Sequence, residues 1–581
     1  MNKLLKTVLA IVAIFLLISV FASCNNKALE LEQTIVDEAG NVITLDKTCL
    51  NLFYQENYVC SFVLPKEATA TEKNVAVALK SSMRKLTGSD FKIVYDDDEI
   101  DEKQNLVLIG NTKFDESKAV YDSLEERQTV VKISGNKLVI AFSNQTGGES
   151  AVSELIKALE PCEKTEVKLK LDWTFNYVTK GTIEDIPQIE NSNVKTTDCG
   201  NGTTLMTSRE NAIETFDAYC GKIKAAGFEE ISVREVNGHK FVTYFGENDY
   251  VYAYYAKDNA SIKRIGTIKV VIGPKETFST GDFGGGEEKY EPSLAIIGLN
   301  RDYNNGQGYV FLLPDGRFII HDGGVHAEAN KISQTLKSMA PDPNNIVIAA
   351  WVVSHPHGDH QWAFERFLEN GYGDKTVKIE SVIFNYAHPS AYMVQDDDNS
   401  STVNAMYKKI EQYLPTTKVI KAHTGQEFKF GSVNMEILYT VEDTLPSNLG
   451  YINDSSMVIR LTIGGQKILL LGDSAHKAGT ILENMWGTTL KSDVVQLAHH
   501  GIWPSNESLY VKVQADVLLW PTQDYCARDM LDQSYGSVIR KALEYAEDVY
   551  ISNDDVTIIP LPIKVQNNKT DVMAKIYAAE K

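Results

Sequence analysis

Several patterns that would point to a simple class of protein are missing from this chain. Only seven of its 581 residues are cysteine, and no two are spaced as C-x-x-C, which excludes a zinc ribbon and a thioredoxin-type redox motif. It has no internal repeat and no low-complexity tract, which argues against a repeat architecture. Acidic residues outnumber basic ones, 78 to 57, for a net charge of −21. We therefore do not expect nucleic acid as a partner, although a local basic patch is compatible with this total.

The chain also lacks an apolar run long enough to cross a bilayer. Its longest N-terminal run, Val8 to Phe21, has 14 residues, whereas a spanning helix needs about 20. Lys3 and Lys6 precede this run, so residues 1–24 have the form of a signal peptide. The following Phe21-Ala22-Ser23-Cys24 resembles a bacterial lipobox, which implies cleavage before Cys24 and a lipid on its thiol. A plain cleaved signal peptide is the alternative.

The composition indicates a large extracytoplasmic protein of several domains. Apolar residues make up 43% and charged residues 23%, as in ordinary globular proteins. Without Cys24 an even number of cysteines remains, so disulfides and buried free thiols are equally open. These cysteines are Cys49, Cys60, Cys162, Cys199, Cys220 and Cys526.

Shifts in pattern along the chain predict three folded parts, joined by polar or glycine-rich segments. The five tyrosines between Tyr244 and Tyr255 are expected to pack within a sheet, with a ligand surface as the alternative. We predict an α/β accessory module at 30–178, a linker at 179–202, a small α+β module at 203–275, a Gly-rich linker at 276–292 and a hydrolase domain at 293–581.

The most informative stretch is Ser354-His355-Pro356-His357-Gly358-Asp359-His360, an H-x-H-x-D-H motif. It follows the apolar run Ile346 to Val353, which predicts a buried strand, and a helix is expected after it. Histidine and carboxylate side chains on such a loop suit Zn2+ first, with iron or manganese as alternatives. Two such cations about 3.5–4 Å apart activate a water and clamp both oxygens of a displacement.

This motif and several later ones resemble the metallo-β-lactamase superfamily, from about Ser293 to the C-terminus. The resemblance implies a four-layer αββα sandwich, two metal ions, a supporting role for Asp322 behind the metal loops, and a bridging role for Asp473. The last ligand loop is Ala498-His499-His500-Gly501, in which His500 is our first choice of ligand and His499 remains open. Asn453-Asp454-Ser455-Ser456 and the His-His-Gly loop are most similar to competence-type DNA-uptake hydrolases and phosphorylcholine esterases.

One departure from that family concerns the first metal. Many members place a histidine about twenty residues before the bridging aspartate, where this chain has Asn453 and Asp454. Either is a candidate oxygen ligand beside His355 and His357, whereas Asp359, His360 and His500 are expected at the second metal. Spare histidines, each more typical of an ordinary surface or loop position, are His388, His423 and His476.

The expected protein is thus an α/β and α+β multidomain chain with an αββα hydrolase domain, anchored by lipid to the outer face of a bacterial membrane. A metal-bound hydroxide, oriented by Asp359 or Asp473, would attack a phosphodiester or phosphoester of a small-molecule or cell-envelope substrate. A metallohydrolase of lactams, lactones or other acyl bonds is the first alternative. A non-catalytic surface lipoprotein that binds carbohydrate is the second.

Overall fold

A computed structural model gives the fold of the chain, which divides into two compact units, Met1–Thr179 and Lys180–Lys581. Cys24 and the rest of the expected signal peptide lie outside the described residues, as do Cys162 and His388. The structure describes residues 31, 33–36, 41–55, 58–101, 104–125, 128–143, 145–159, 165–178, 186–190, 193–200, 202–257, 266–299, 306–371, 376–386, 398–447, 449 and 451–579.

The first unit is an α/β module, as its hydrophobic pattern indicates. Its described elements are β1 (Thr34–Val36), β2 (Val42–Thr44), β3 (Cys49–Tyr54), β4 (Tyr58–Val59), β5 (Ser61–Leu64), α1 (Ala70–Thr87), β6 (Ile93–Tyr95), β7 (Leu106–Ile109), α2 (Asp115–Tyr121), β8 (Gln128–Ser134), β9 (Lys137–Phe142), α3 (Gln145–Leu159), β10 (Glu166–Lys170) and β11 (Thr174–Val178).

Helix α1 shows how closely local sequence determines this unit. Thr69 and Glu72 form a capping box at its start, and Gly88 ends it in a left-handed conformation. The apolar side chains of α1 and α3 share a core with a six-stranded sheet of order β11-β8-β9-β7-β5-β6. Strands β6, β5, β7 and β9 of that sheet run parallel.

The second unit begins with a six-stranded antiparallel sheet of order β12-β13-β17-β16-β15-β14. One face is covered by α4, and Tyr244 and Tyr255 are in that core. The helix and strands give this part the α+β composition predicted for 203–275. Its elements are β12 (Lys195–Asp198), β13 (Thr204–Ser208), α4 (Ile213–Ala225), β14 (Glu229–Val236), β15 (His239–Phe245), β16 (Asp249–Ala256) and β17 (Thr267–Pro274).

The other face of this sheet packs on the rest of the second unit and is not exposed to solvent. Tyr250, Tyr252 and Tyr254, which alternate along β16, share one apolar core with residues from 438 to 576. The tyrosines therefore serve as packing residues. The same contacts join the part predicted as a small module at 203–275 to the C-terminal domain.

The remaining elements of the second unit form the sandwich that carries the candidate site. They are β18 (Ser293–Ile296), β19 (Gly308–Leu312), β20 (Phe318–Asp322), α5 (Glu328–Met339), β21 (Ile346–Val352), α6 (Gly358–Glu369), β22 (Val377–Ile379), β23 (Ser381–Phe384), α7 (Asp398–Tyr413), β24 (Lys418–Lys421), β25 (Glu427–Phe430), β26 (Val433–Tyr439), β27 (Val458–Ile463), β28 (Gln466–Leu470), α8 (His476–Trp486), β29 (Val494–Gln496), α9 (Glu507–Val513), β30 (Val517–Trp520), α10 (Asp524–Leu531), α11 (Gly536–Tyr545), β31 (Asp548–Ile551), β32 (Thr557–Pro560) and α12 (Lys569–Ala578).

Two sheets face each other in this sandwich. The first has the order β24-β23-β21-β20-β19-β18-β32, with β22 beside β21, and the second has the order β25-β26-β27-β28-β29-β30-β31. A core of buried aliphatic and aromatic side chains fills the space between them. Helices α5, α6 and α7 cover the outer face of the first sheet, and α8 to α12 cover that of the second. The layer order is αββα, as expected.

The segment predicted as a Gly-rich linker, 276–292, has no strand or long helix but is fastened to the sandwich. The ring of Phe283 stacks on Phe430 at 4.5 Å, and Asp282 forms a parallel bridge with Lys429. Arg317 donates hydrogen bonds to the carbonyl oxygens of Phe283 and Gly284 at 3.0 and 2.8 Å. The segment is therefore held along the edge of the second sheet at strand β25.

Candidate metal centre

The candidate ligands follow parallel strands of both sheets. Strand β21, parallel to β20, leads into the loop 353–357 and then α6. Strands β28, β29 and β30 are also parallel, and Asp473 and the 499–500 pair follow the first two. Because the carboxyl ends of parallel strands lie at one edge of a sheet, both sheets bring their loops to one end of the sandwich.

The H-x-H-x-D-H residues form one wall of the centre. His355 and His360 are fully buried, and Asp359 lies in the first turn of α6. Nε2 of His355 is 3.0 Å from Nδ1 of His357, and Nε2 of His360 is 3.9 Å from Oδ1 of Asp359. All four predicted side chains are thus brought together.

Asp473 and His500 close the opposite wall. Asp473 places Oδ1 at 3.2 Å from Nε2 of His360, and Oδ2 at 3.4 and 3.7 Å from Nε2 of His500 and His355. His500 Nε2 is also 3.3 Å from Oδ2 of Asp359. Two overlapping sets of possible ligands result, in each of which the atoms lie within 4.8 Å of one another: His355, His360 and Asp473, and Asp359, His360 and His500.

Asp322 supports the metal loop from behind, as expected for the Asp of the Asp-Gly turn after β20. It has a φ of 57°, and its carboxylate accepts hydrogen bonds from the Ser354 N–H at 2.7 Å and the Ser354 hydroxyl at 2.9 Å. Its Oδ2 is 2.8 Å from Nδ1 of His360. This contact orients the ring so that Nε2 faces Asp473.

The two neighbouring histidines of the last loop occupy different positions. His500 is buried, and its Nδ1 is 3.0 Å from the carbonyl oxygen of Pro521, which leaves Nε2 to face the centre. His499 is partly exposed, and its Nε2 lies 2.9 Å from Nδ2 of Asn453 and 3.9 Å from Oδ2 of Asp473. The geometry therefore favours His500 as the ligand.

The contact between His499 and Asn453 also distinguishes the two candidate ligands of the first metal, Asn453 and Asp454. Asn453 faces His499, whereas Asp454 accepts a hydrogen bond from the Ala478 N–H at 3.0 Å in the first turn of α8. Asp454 thus supports a helix, and only Asn453 of this pair is directed toward the centre. Two spare histidines are elsewhere, because His476 is exposed at the start of α8 and His423 is buried against Glu442.

Sequence reasoning missed the residues that brace Asp473. Its N–H donates to the Ser456 hydroxyl at 3.0 Å, and Gln496 bonds the backbone of Leu471 and Gly472. Gly472 has a φ of 54°, and a Cβ there would lie 3.0 Å from Cβ of Ser354, so the Asp473 loop presses directly on the metal loop. In the sequence, the Gly472-Asp473 pair was the only local sign that these two loops meet.

The charges of the centre are strongly coupled. Burial alone would raise the pKa of Asp473, but the imidazoles of His360 and His500 outweigh it and hold that pKa well below its usual range. Burial would lower the pKa of His500, but Asp473 and Asp359 outweigh it and raise the pKa to about 10. His355 differs, since burial and the neighbouring imidazoles lower its pKa.

Three buried polar atoms of the centre show that these residues fit a metal. Nε2 of His360, Nε2 of His500 and Oδ1 of Asp473 are buried, and their ion pairs do not have the geometry of a hydrogen bond to any described group. A buried polar atom without a hydrogen bond is costly, and imidazole nitrogen and carboxylate oxygen are donors that zinc and iron take.

Fold and site together define an αββα domain with a cluster of histidine and aspartate side chains, able to hold a metal ion, at one end of its two sheets. No family model and no curated protein matches the sequence. Solved structures similar to parts of this chain include two metallo-β-lactamases.

Three of these structures illustrate how distant the similarity is. The diiron β-hydroxylase CmlA from Streptomyces venezuelae is 11% identical, over 61% of this chain and 79% of that chain, with a TM-score of 0.30. Zn(2+)-bound PqqB from Methylobacterium extorquens is 8% identical, over 46% of this chain and 99% of that chain, with a TM-score of 0.29. The subclass B3 metallo-β-lactamase MEM-A1 from a soil metagenome library is 12% identical, over 50% of this chain and 97% of that chain, with a TM-score of 0.23. A CmlA mutant is matched over only 55% of its own length. Because every TM-score is below 0.5, the layer order and the site rest on this chain's own residues.

Proposed function

We propose that the sandwich is a two-metal hydrolase that cleaves phosphodiesters or phosphoesters. The observation that carries this proposal is the position of Asp473, whose carboxylate lies 3.7 Å from Nε2 of His355 in the first predicted ligand group. It also lies 3.2 and 3.4 Å from Nε2 of His360 and His500 in the second group. A carboxylate that contacts both groups of ligands is the arrangement a bridging ligand requires.

Two divalent cations, Zn2+ first and iron or manganese as alternatives, would neutralise the ester's charge and activate a water. Asp473 would be shared between them, with His355 and His357 on one side and Asp359, His360 and His500 on the other. Asp359, whose side chain is partly exposed, or Asp473 would orient the attacking water, while Asp322 keeps His360 in place from behind.

The choice of a phosphoester over an acyl bond is supported by the resemblance of Asn453-Asp454-Ser455-Ser456 and the His-His-Gly loop to phosphoester-cleaving members of the superfamily. The test is metal analysis of the purified protein, followed by chromogenic phosphodiesters, phosphomonoesters, lactams and lactones. We expect two metals per chain and the highest kcat/KM on a phosphoester. Faster lactam or lactone cleavage contradicts the substrate class, and a metal-free protein with no hydrolysis contradicts the function.

We also propose that the protein is lipid-anchored on the extracytoplasmic face of a bacterial membrane, on the strength of the lipobox-like sequence ending at Cys24. Within the described residues, no helix is long and apolar enough to cross a bilayer. Cys24→Ser is expected to release the protein from membranes and abolish palmitate labelling. A wild-type protein that begins after Cys24 and partitions into the aqueous phase contradicts the anchor.

A further inference from the structure

Three large aromatic side chains close to the candidate ligands in the sequence are exposed. They are Trp362 at 38% exposure, Tyr451 at 72% and Trp503 at 61%. Trp362 is one turn after Asp359 in helix α6, and Tyr451 and Trp503 are two and three residues from Asn453 and His500. By contrast, the tryptophans that pack within the sandwich are exposed by 2% or less: Trp351, Trp486 and Trp520.

The loop that carries Trp503 is strained. Four of its residues have positive φ angles, at 50° for His499, 55° for His500, 51° for Trp503 and 64° for Ser505. Side chains other than glycine rarely adopt this conformation, and a bulky one does so only where the surroundings enforce it. Strain of this kind concentrates at functional sites.

Contacts on both sides fix this loop. Before the tryptophan, Nε1 of Trp520 donates a hydrogen bond to the His500 carbonyl oxygen at 2.8 Å. After it, Nδ2 of Asn506 donates to the His476 carbonyl oxygen at 3.1 Å, at the start of α8. The indole of Trp503 lies beside the ring of Tyr535, at 4.9 Å between ring centroids, and stays largely exposed. An exposed apolar ring is thus displayed by a rigid loop.

Trp362 is held against the metal loop itself. Its indole lies over Gly358, where a Cβ would come within 2.3 Å of Cε2. Its other neighbour is the ring of His326, stacked at 5.0 Å and 6°. Along α6, Phe364 and Phe367 are fully buried, whereas Trp362 is not.

We propose that Trp362, Tyr451 and Trp503 form an aromatic rim that binds a ring in the alcohol part of the ester, next to the bond that is cleaved. This rests on the proposed function. Aromatic faces stack on rings in a way that favours no particular pattern of hydrogen bonds, and exposed apolar groups gathered at a site mark ligand contact. The net charge of −21 disfavours a long polyanion, so the ring belongs to a small phosphoester, either a sugar ring or an aryl ring.

The test compares three methyl phosphodiesters whose second ester group is ethyl, phenyl or glucosyl, with the released alcohol measured by chromatography. For the wild-type protein we expect kcat/KM on a ring ester to exceed that on the ethyl ester by about tenfold, mainly through KM, since stacking on one ring has about this effect. A higher value for the glucosyl ester assigns a sugar ring, and a higher value for the phenyl ester an aryl ring.

Variants locate the effect. Trp503→Ala and Tyr451→Ala are expected to reduce the ratio of ring to ethyl kcat/KM toward one with metal content unchanged, while Trp503→Phe retains most of it. Tyr577→Ala is the matched control, because Tyr577 is 65% exposed on the C-terminal helix α12 and its loss leaves the ratio as it was. Equal kcat/KM on all three esters in the wild type, or a ratio that survives both alanine substitutions, overturns the rim.

A binding measurement separates failure of the rim from failure of the proposed function. Tryptophan fluorescence of the metal-loaded protein is titrated with phenylphosphonate and with ethylphosphonate. Tighter binding of the phenyl compound, with a signal lost in Trp503→Phe, supports the rim even if no ester is cleaved. Cleavage of all three esters without any such preference supports the proposed hydrolase and contradicts the aromatic rim.

Discussion

At the scale of single residues, the fold gives the two histidines of the last loop, His499 and His500, different positions. The sequence placed two histidines side by side and could not choose between them. The fold separates them, because the Pro521 carbonyl holds Nδ1 of His500 and turns Nε2 toward Asp359 and Asp473, while His499 turns to Asn453.

This separation predicts different metal contents for two alanine variants. His500→Ala removes the imidazole between Asp359 and Asp473, so we expect about one metal per chain and a turnover reduced about 10³-fold. His499→Ala is the neighbouring control and should retain both metals. Atomic emission on the purified variants measures this, and loss of a metal only from His499→Ala contradicts the assignment.

The supporting role of Asp322 gives a second residue-scale prediction. Asp322→Asn keeps the size of the side chain but weakens the acceptor that holds Nδ1 of His360. Loss of such an outer partner typically costs 10–100-fold in metal affinity, which competition with a chromogenic chelator measures. The control is Asp315→Asn, on the turn before β20; if both variants bind metal as the wild type does, Asp322 does not position His360.

Metal affinity should also depend on pH. The pKa of His500 is raised to about 10 without metal, so this ring is protonated at neutral pH and a cation must displace the proton. Below pH 10 the affinity is therefore expected to rise with pH, by about tenfold per unit for each proton displaced. Calorimetry in buffers of different ionisation enthalpy measures the protons released, and binding without proton release would falsify this.

At the scale of elements, local pattern predicted the parts but not their partners. Strand β21 ends one residue before the end of the predicted run Ile346 to Val353, and helix α6 follows the motif as predicted, because hydrophobic pattern is local. The alternation of Tyr250, Tyr252 and Tyr254 showed that one face of β16 is apolar. It could not show that this face packs on residues after 438, which depends on contacts distant in sequence.

That interface contains buried charge that sequence reasoning did not find. Nδ1 of His423 lies 2.9 Å from Oε1 of Glu442, and Nε2 of His423 lies 2.9 Å from the Tyr250 hydroxyl of β16. Burial would raise the pKa of Glu442, but His423 outweighs it and lowers the pKa. The two residues are nineteen positions apart along the chain, so no local sequence motif predicts their contact.

Acid unfolding tests this pair. Since the folded pKa of Glu442 is below its unfolded value of about 4.3, its contribution is present above that pH and is lost as pH falls through the folded pKa. Glu442→Gln should therefore lower the free energy of unfolding at pH 7 by about 2 kcal/mol and flatten its decline below pH 4.3. Glu287→Gln, at an exposed glutamate, is the control. If the free energy of unfolding of Glu442→Gln declines below pH 4.3 as steeply as that of the wild type, the Glu442–His423 pair does not stabilise the fold.

At the scale of the whole molecule, the second unit is one body from Lys180 onward. The sequence predicted an independent domain starting at 293, but the sheet of β12 to β17 shares its core with α8 to α11. Lys269 of β17 donates hydrogen bonds to the carbonyl oxygens of Glu442 and Leu445, on the segment that leads to Asn453.

A truncation series tests this. A chain of residues 180–581 is expected to fold and bind metal, whereas one of residues 293–581 exposes the apolar surface that the tyrosines cover and should aggregate or lose metal. Circular dichroism, size-exclusion chromatography and metal content report the result. A soluble, fully metallated 293–581 chain would show that the first sheet is dispensable.

The most direct test of the central claim is the metal content of Asp473→Ala. This substitution removes the one carboxylate that faces both ligand groups, so two cations would repel each other without it. The wild type and the control Asp516→Ala, at an exposed position, are expected to hold two metals per chain. Asp473→Ala is expected to hold fewer than one and to lose about 10³-fold or more in turnover. An Asp473→Ala protein with two metals and near-normal activity contradicts the two-metal centre.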